Sequence, residues 1–359
     1  MSLPSESTRK FEREPEFILA VSPAGIAPPR AAAHSRWPGL GRILAFFGML
    51  VLLVFGLDFM VNAGLRRVKT SDFGVTNRIA SGNVNADIVI SGSSRAMVHY
   101  DPRIIQAVTG HSAFNIGRNG SQTDMQLAVL KFYLRHNRKP ALVVHNLDLF
   151  SFVTSREIFD PAQYIPYLDD KAIYEGVKRV YPTAWKWIYL PLYGYLVEDM
   201  RFAWITGLKA TIGIQPREDH FLGFVPRMNA WTGDFDKYRD ANPEGVRFDI
   251  EPQGIRDMWA IAELCRDHEV PLLLVYSPEY SEMQKMERNR DEVFREFNAL
   301  CSHFTLPLWD FSSSAISHDK SLFYNSQHLN ATGAEIFSRE FARRLHDSDQ
   351  GARILRLSQ

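Results

Sequence analysis

The spacing of apolar positions changes several times along this chain, and each change marks a new element. From Ile43 to Val61 nearly every position is apolar, interrupted only by Gly48, Gly56 and Asp58. A run of roughly 20 apolar residues crosses a bilayer core, and an acidic residue costs less near the end of such a run than at its centre. The pattern predicts an uncleaved transmembrane helix over 39–63. A cleaved signal peptide fits less well. The preceding tail is long, the run exceeds a normal signal-peptide core, and only Val61-Asn62-Ala63 offers small residues for cleavage. Beyond residue 86 short, continuous apolar runs alternate with helical periodicity. Asp87–Ser91, Ala113–Ile116, Ala141–Leu147, Pro271–Tyr276 and Leu306–Asp310 read as buried strands. Ala96–Val108, Thr123–His136, Pro252–His268, Ser281–His303 and Ala331–Leu345 read as helices. The last has Asn330 as N-cap and Ala334, Phe337, Phe341 and Leu345 on its inner face. This alternation predicts an α/β fold of three α/β/α layers, with a parallel sheet covered on both faces.

The alternation breaks over about 151–250. This insertion is dense in rings, among them Trp185, Trp187, Tyr189, Tyr193 and Tyr195. Three readings stay open: a helical subdomain packed on the main core, a surface for the membrane interface or a partner, and a platform for sugars. The remaining boundaries follow from composition. Residues 1–38, rich in Pro, Ala, Ser and Arg, predict a disordered cytoplasmic tail. Residues 64–85 form a juxtamembrane connector, 86–346 the α/β domain, and 347–359 a C-terminal tail. Arg30, Arg36 and Arg42 precede the span, while Arg66, Arg67 and Lys69 follow it. The additional Arg9, Lys10 and Arg13 tip the balance towards a cytoplasmic N-terminus.

Composition excludes some functions. The formal net charge is +0 over 359 residues, so no general electrostatic attraction to nucleic acid exists. Cys265 and Cys301 lack metal-type spacing. They read as free buried thiols, with a disulfide as the alternative.

Candidate chemistry gathers where strands end. Gly92-Ser93-Ser94-Arg95 follows the first strand, and in an open α/β sheet such turns lie at the carboxyl edge, where ligands bind. Ser94 is the candidate nucleophile, with Ser93 either structural or exchanging roles with it. An activated serine needs a base, an orienter for that base and donors for an oxyanion. Gly120, in the turn after the second strand, is a candidate oxyanion donor, or an ordinary turn glycine. The third strand ends in His145-Asn146-Leu147-Asp148, from which Asn146 can reach the site or face the core. His328 follows Asn325 by three residues, a spacing that lets the side chain at 325 reach the imidazole and fix its tautomer.

Taken together, these blocks resemble the SGNH (GDSL-like) hydrolase superfamily over roughly 86–346. They are closest to its membrane-anchored extracytoplasmic branch, which includes proteins of teichoic-acid D-alanylation and alginate O-acetylation. The resemblance implies a flavodoxin-like sheet and catalytic Ser94 and His328. It places Asn325 where the superfamily has Asp, Ser93 where most members have Asp, and oxyanion or binding roles at Gly120 and Asn146. It also implies acyl transfer, most simply of acetyl, or ester chemistry on a cell-envelope or exported polysaccharide. That work would be done at a bacterial inner membrane beside a multi-pass membrane O-acyltransferase. No metal or organic cofactor is implied. The exchange of Asp for Asn leaves alternatives: a Ser–His dyad, a substitute carboxylate from Asp148, Asp310 or Asp319, or a silent scaffold that docks the acyltransferase or its glycan.

Overall fold

The structure is a computed structural model that describes residues 38–197, 200–217 and 220–351. The expected N-terminal tail, apart from Pro38, and the C-terminal tail beyond 351 lie outside the described residues. The chain divides into residues 1–49 and 50–359. Of the first unit only the opening of a long helix, α1 (Pro38–Leu65), is described. This helix is long and apolar enough to cross a membrane, which fits single-pass anchoring.

Helix α2 (Ser71–Ala80) leads into β1 (Ile88–Ser91). The chain then forms α3 (Ser94–His99), α4 (Pro102–Thr109), β2 (Ala113–Asn115), α5 (Thr123–His136) and β3 (Leu142–Asn146). The insertion contributes α6 (Lys171–Val180), α7 (Trp185–Tyr189), α8 (Tyr193–Val197), α9 (Arg201–Thr211) and α10 (Asp234–Ala241). Next come α11 (Pro252–Asp267), β4 (Leu272–Tyr276), α12 (Ser281–Gln284), α13 (Arg290–Phe304) and β5 (Leu308–Asp310). A small hairpin of β6 (Phe323–Asn325) and β7 (His328–Leu329) precedes the last helix, α14 (Ala331–Asp347).

The five long-range strands pair in the order β2-β1-β3-β4-β5, all parallel. That is the flavodoxin-like order, and the expected α/β class is borne out. Side-chain alternation along each strand feeds two cores. Val89, Val143, Leu272, Leu274 and Tyr276 meet Leu130, Ile261 and Phe297 of α5, α11 and α13 on one face. Ile88, Ile90, Val144, Leu273 and Val275 meet Ile105, Phe337 and Phe341 of α4 and α14 on the other.

Two expected helices are broken. Ala96–Val108 splits at Pro102, whose ring cannot continue a helix, and Asp101 accepts from Arg103 N to start α4. Ser281–His303 splits into α12 and α13 because Val246 pairs with the intervening segment. Val246 N donates to Met286 O and Arg288 N to Val246 O, each at 2.8 Å. Cys265 and Cys301 are free and buried, and burial pushes their thiols up to about 12 and 11.

The insertion divides its aromatics between two jobs. Tyr164, Trp187 and Tyr195 are buried in the first core, whereas Trp185 and Tyr189 stay exposed. The segment from Phe221 to Thr232 returns to the sheet. Asn115 N donates to Leu222 O, Val225 N to Met97 O, and Thr232 N to Tyr324 O.

Candidate active site

The parallel register carries the end of β1 to the carboxyl edge, where the chain turns at Gly92. Its φ of 143° lies in the region that favours glycine, and a Cβ there would sit 2.9 Å from Ala96 Cβ and 3.0 Å from Asn146 Cβ. Ser93 is buried and caps α3, its hydroxyl accepting from Arg95 N at 3.2 Å. Ser93 is therefore a structural residue. Ser94 opens the helix and is the one residue between Ser91 and Tyr100 that is not buried. No hydrogen bond among the described residues uses its backbone N–H.

The next residue holds this turn from below. The Arg95 guanidinium is 2% exposed, bonds the Asp148 carboxylate at 3.3 Å and the Ser277 carbonyl, and lies 4.6 Å from the Tyr276 ring centre. Burial would lower its pKa, but the nearby Tyr276, Glu279 and Asp148 outweigh that and hold it above the ordinary value. Burial in turn pushes Asp148 up to about 6 against the pull of Arg95.

His328 reaches Ser94 from the hairpin. Its Nε2 lies 2.7 Å from Ser94 Oγ, and its Nδ1 lies 2.9 Å from Asn325 Oδ1. Hydrogen-bond logic fixes the proton. Asn325 Oδ1 also accepts from Gln327 N at 3.1 Å and His328 N at 3.0 Å. Two backbone N–H donors require the amide oxygen, not the NH₂, on this side. The oxygen can only accept from Nδ1–H, so Nε2 carries the lone pair that faces the serine hydroxyl. Burial first, then the cations Arg95 and Arg227, push the imidazole down to about 3. The imidazole thus presents its lone pair to Ser94 and is weakly basic.

Side chains that the sequence did not single out complete the mount. His99, fully buried, accepts from Leu329 N at 3.1 Å through Nε2, which leaves Nδ1 to donate to Ser277 Oγ at 2.8 Å. This bond ties β7, and thus His328, to the helix that carries Ser94. Tyr324 stacks on His328, ring centres 5.3 Å apart, and the Arg227 guanidinium lies over Tyr324 at 5.9 Å. The available signal was positional: His99 lies five residues after Ser94, and Tyr324 adjoins Asn325.

Gly120 has φ 61°, and a Cβ there would press on Phe159 at 2.9 Å. Its N–H has no partner among the described residues. Its loop runs beside the turn at Gly92, with Arg118 N donating to Gly92 O at 3.0 Å. Asn146 departs from the oxyanion role expected for it. It is fully buried, its Oδ1 accepts from Tyr100 OH at 2.9 Å, and its Nδ2 donates to Leu147 O at 3.1 Å. Its polar atoms brace the sheet edge. His145 is a core residue facing Ser91, with its pKa lowered to about 4 by burial. The carboxylates weighed as substitutes for Asn325 do other work. Asp148 pairs with Arg95, Asp310 accepts from Ser312 N, and Asp319 accepts from Ser321 N.

A hollow of about 490 Å³ lies among Phe73, Phe159, Asp160, Met200 and Phe202 and does not include Ser94 or His328. One of its lining residues, Phe159, packs against Gly120.

No protein-family model matches the chain, and no curated protein does. Among solved structures, a candidate acylhydrolase from Bacteroides fragilis is similar over 72% of this chain and 86% of that chain, with 11% identity and a TM-score of 0.32. The functional reading therefore rests on the geometry of the site itself.

Proposed function

We propose that this chain is a membrane-anchored acyltransferase or esterase of the SGNH type, acting through Ser94 and His328 on a cell-envelope or exported polysaccharide. The observation that carries the reading is the relay Ser94 Oγ–His328 Nε2–Asn325 Oδ1, at 2.7 and 2.9 Å. Ser94 Oγ attacks the acyl carbonyl of a donor while its proton passes to His328 Nε2. The leaving group departs with that proton, and an acyl ester remains on Ser94. A sugar hydroxyl then attacks the ester, His328 takes the hydroxyl proton, and that proton returns to Ser94 Oγ as the bond to serine breaks. The N–H groups of Ser94 and Gly120, without a partner among the described residues, are available for the oxyanion. By resemblance, a multi-pass membrane O-acyltransferase supplies the acyl group, and the domain lies outside the inner membrane of a bacterium.

A second reading is favoured by Asn325, which brings no negative charge to the histidine: a silent scaffold that docks the acyltransferase or its glycan. A serine-directed fluorophosphonate separates the two. The probe should form an adduct on Ser94, and Ser94→Ala should abolish both labelling and acylation of the polysaccharide while leaving the fold intact. Full acylation activity in Ser94→Ala would leave only the scaffold.

A further inference from the structure

We infer that Tyr189, Leu190, Leu196 and Phe202, exposed apolar side chains of the insertion, lie in the interfacial layer of the bilayer that α1 crosses, in direct contact with lipid. The argument starts on α1. Roughly 20 residues span a hydrocarbon core, so a span that opens at Ile43, where the unbroken apolar run begins, ends near Val61, and Asp58 falls in its last turn, close to the polar boundary. Exposure changes there too. Phe55 and Phe59 are 53% and 73% exposed, whereas Val61 and Leu65 are fully buried in the first core.

The insertion grips the helix at this level. Leu192 N donates to Asp58 Oδ1 at 2.8 Å, and Tyr195 OH donates to Asn62 Oδ1 at 2.9 Å. Helix α9 packs against α1 without side chains between them, since a Cβ on Gly64 would overlap the Gly207 carbonyl. Gly207 lies against Val61 and Thr211 against Gly64, so the two helices run in the same direction and α9 begins at the membrane end.

Residues flanking these grips are left without protein cover. Tyr189 is 68% exposed, Leu190 43%, Leu196 71% and Phe202 75%. Leu190 and Leu196 bracket Leu192 and Tyr195, the two residues bonded to Asp58 and Asn62, and Phe202 stands at the membrane end of α9. They extend the apolar surface of α1 sideways at the depth of Asp58 and Phe59. The Lys186 ammonium lies 5.8 Å from the ring centres of both Trp185 and Tyr193. Rings topped by a lysine that reaches for water are the composition of a membrane interface. A lipid surface fits because the patch is continuous with a helix that lipid already surrounds.

The test uses the full chain in phosphatidylcholine vesicles, with a single cysteine introduced as Leu196→Cys, Phe202→Cys or, as control, Arg339→Cys. Arg339 is exposed on α14, in the layer on the opposite side of the sheet from the α1 dock. Native Cys265 and Cys301 are buried and stay unlabelled in the folded protein. A bimane label at 196 or 202 should be quenched by lipids carrying a doxyl group near the headgroup about threefold more than a label at 339, and should be shielded from aqueous iodide. Equal quenching at all three positions would overturn the inference. Shielding that arises only in native membranes, and not in pure lipid, would also overturn it and assign the patch to a protein partner. The readout is independent of chemistry at Ser94.

Discussion

Asn325→Asp isolates what the missing carboxylate would do. The substitution keeps the acceptor in place, because an aspartate oxygen can take the same three donors, Gln327 N, His328 N and His328 Nδ1. Only charge is added. Two unit charges about 4 Å apart interact by about 4 kcal/mol at an effective dielectric of 20. Asn325 and His328 are partly exposed, so solvent screening cuts that figure, and a rise of about 1–2 units in the imidazole pKa is the working expectation. The sign follows from the mechanism. His328 reacts as the free base, so activity is lost as pH falls through its pKa. In the parent chain, burial, Arg95 and Arg227 hold that pKa near 3, and the acid limb should lie far below neutrality. In the variant the limb should move up by the same 1–2 units, and the plateau above it should rise about tenfold because the base is stronger. The assay is hydrolysis of p-nitrophenyl acetate by the full chain in detergent, followed from about pH 3, where the parent limb is expected, to mildly alkaline pH, with thermal unfolding at each pH as the control for folding. A folded variant whose acid limb coincides with that of the parent, or whose plateau is lower, would refute the electrostatic account.

Other outcomes follow from the same geometry. Gly92→Ala should lower stability by about 2–3 kcal/mol, read from the denaturant midpoint, because its φ of 143° and the contacts at Ala96 and Asn146 both penalise a Cβ; an unchanged midpoint would contradict the packing. Arg95→Met should cost about 3–5 kcal/mol near pH 8 by leaving Asp148 and Glu279 buried without their cation. It should cost less near pH 5, because a carboxyl whose folded pKa is raised, as that of Asp148 is to about 6, contributes stability that is lost as pH rises through that value; an equal loss at both pH values would sink the argument. Alkaline phosphatase fused after Asn85 should be active and a cytoplasmic reporter at the same point inactive; the reverse would refute an extracytoplasmic domain.

Much of this was legible in the sequence because it depends on local pattern. Strand runs such as Ile88–Ser91 and Leu272–Tyr276 are apolar at every register position that meets a core, and the helices between them keep a steady stripe. The Asn325–His328 spacing forms one tight turn, so the contact at Nδ1 could be read from neighbours in the chain. What failed depended on distant partners. Nothing near Ser281–His303 indicates that Val246 will pair into it. Asn146 stands where an oxyanion donor was expected, but the Tyr100 hydroxyl, reached only through the fold, fixes its oxygen, and its NH₂ is spent on Leu147 O and Asp148 Oδ1. The link from His99 to Leu329 N joins residues at opposite ends of the domain, and no periodicity reports it.

Orientation and charge, which one aspartate supplies together in a serine-protease triad, are separated in this site. Two backbone N–H groups turn the Asn325 oxygen towards Nδ1, so the productive tautomer needs no carboxylate. Charge is the part that is missing, and the surroundings accentuate the loss, since Arg95 and Arg227 both disfavour an imidazolium. The two cations are not equivalent. Arg95 is locked under the turn by Asp148 and the Ser277 carbonyl, and its charge is a fixed part of the scaffold. Arg227 is only partly buried and lies 5.9 Å from the centre of Tyr324, the ring that stacks on His328. An anionic group that pairs with Arg227 cancels one of the three causes that depress the imidazole, and so strengthens the base where Ser94 needs it. In the proposed mechanism the reactivity of Ser94 is thus tied, through His328, to the charge of whatever occupies the surface beside Arg227.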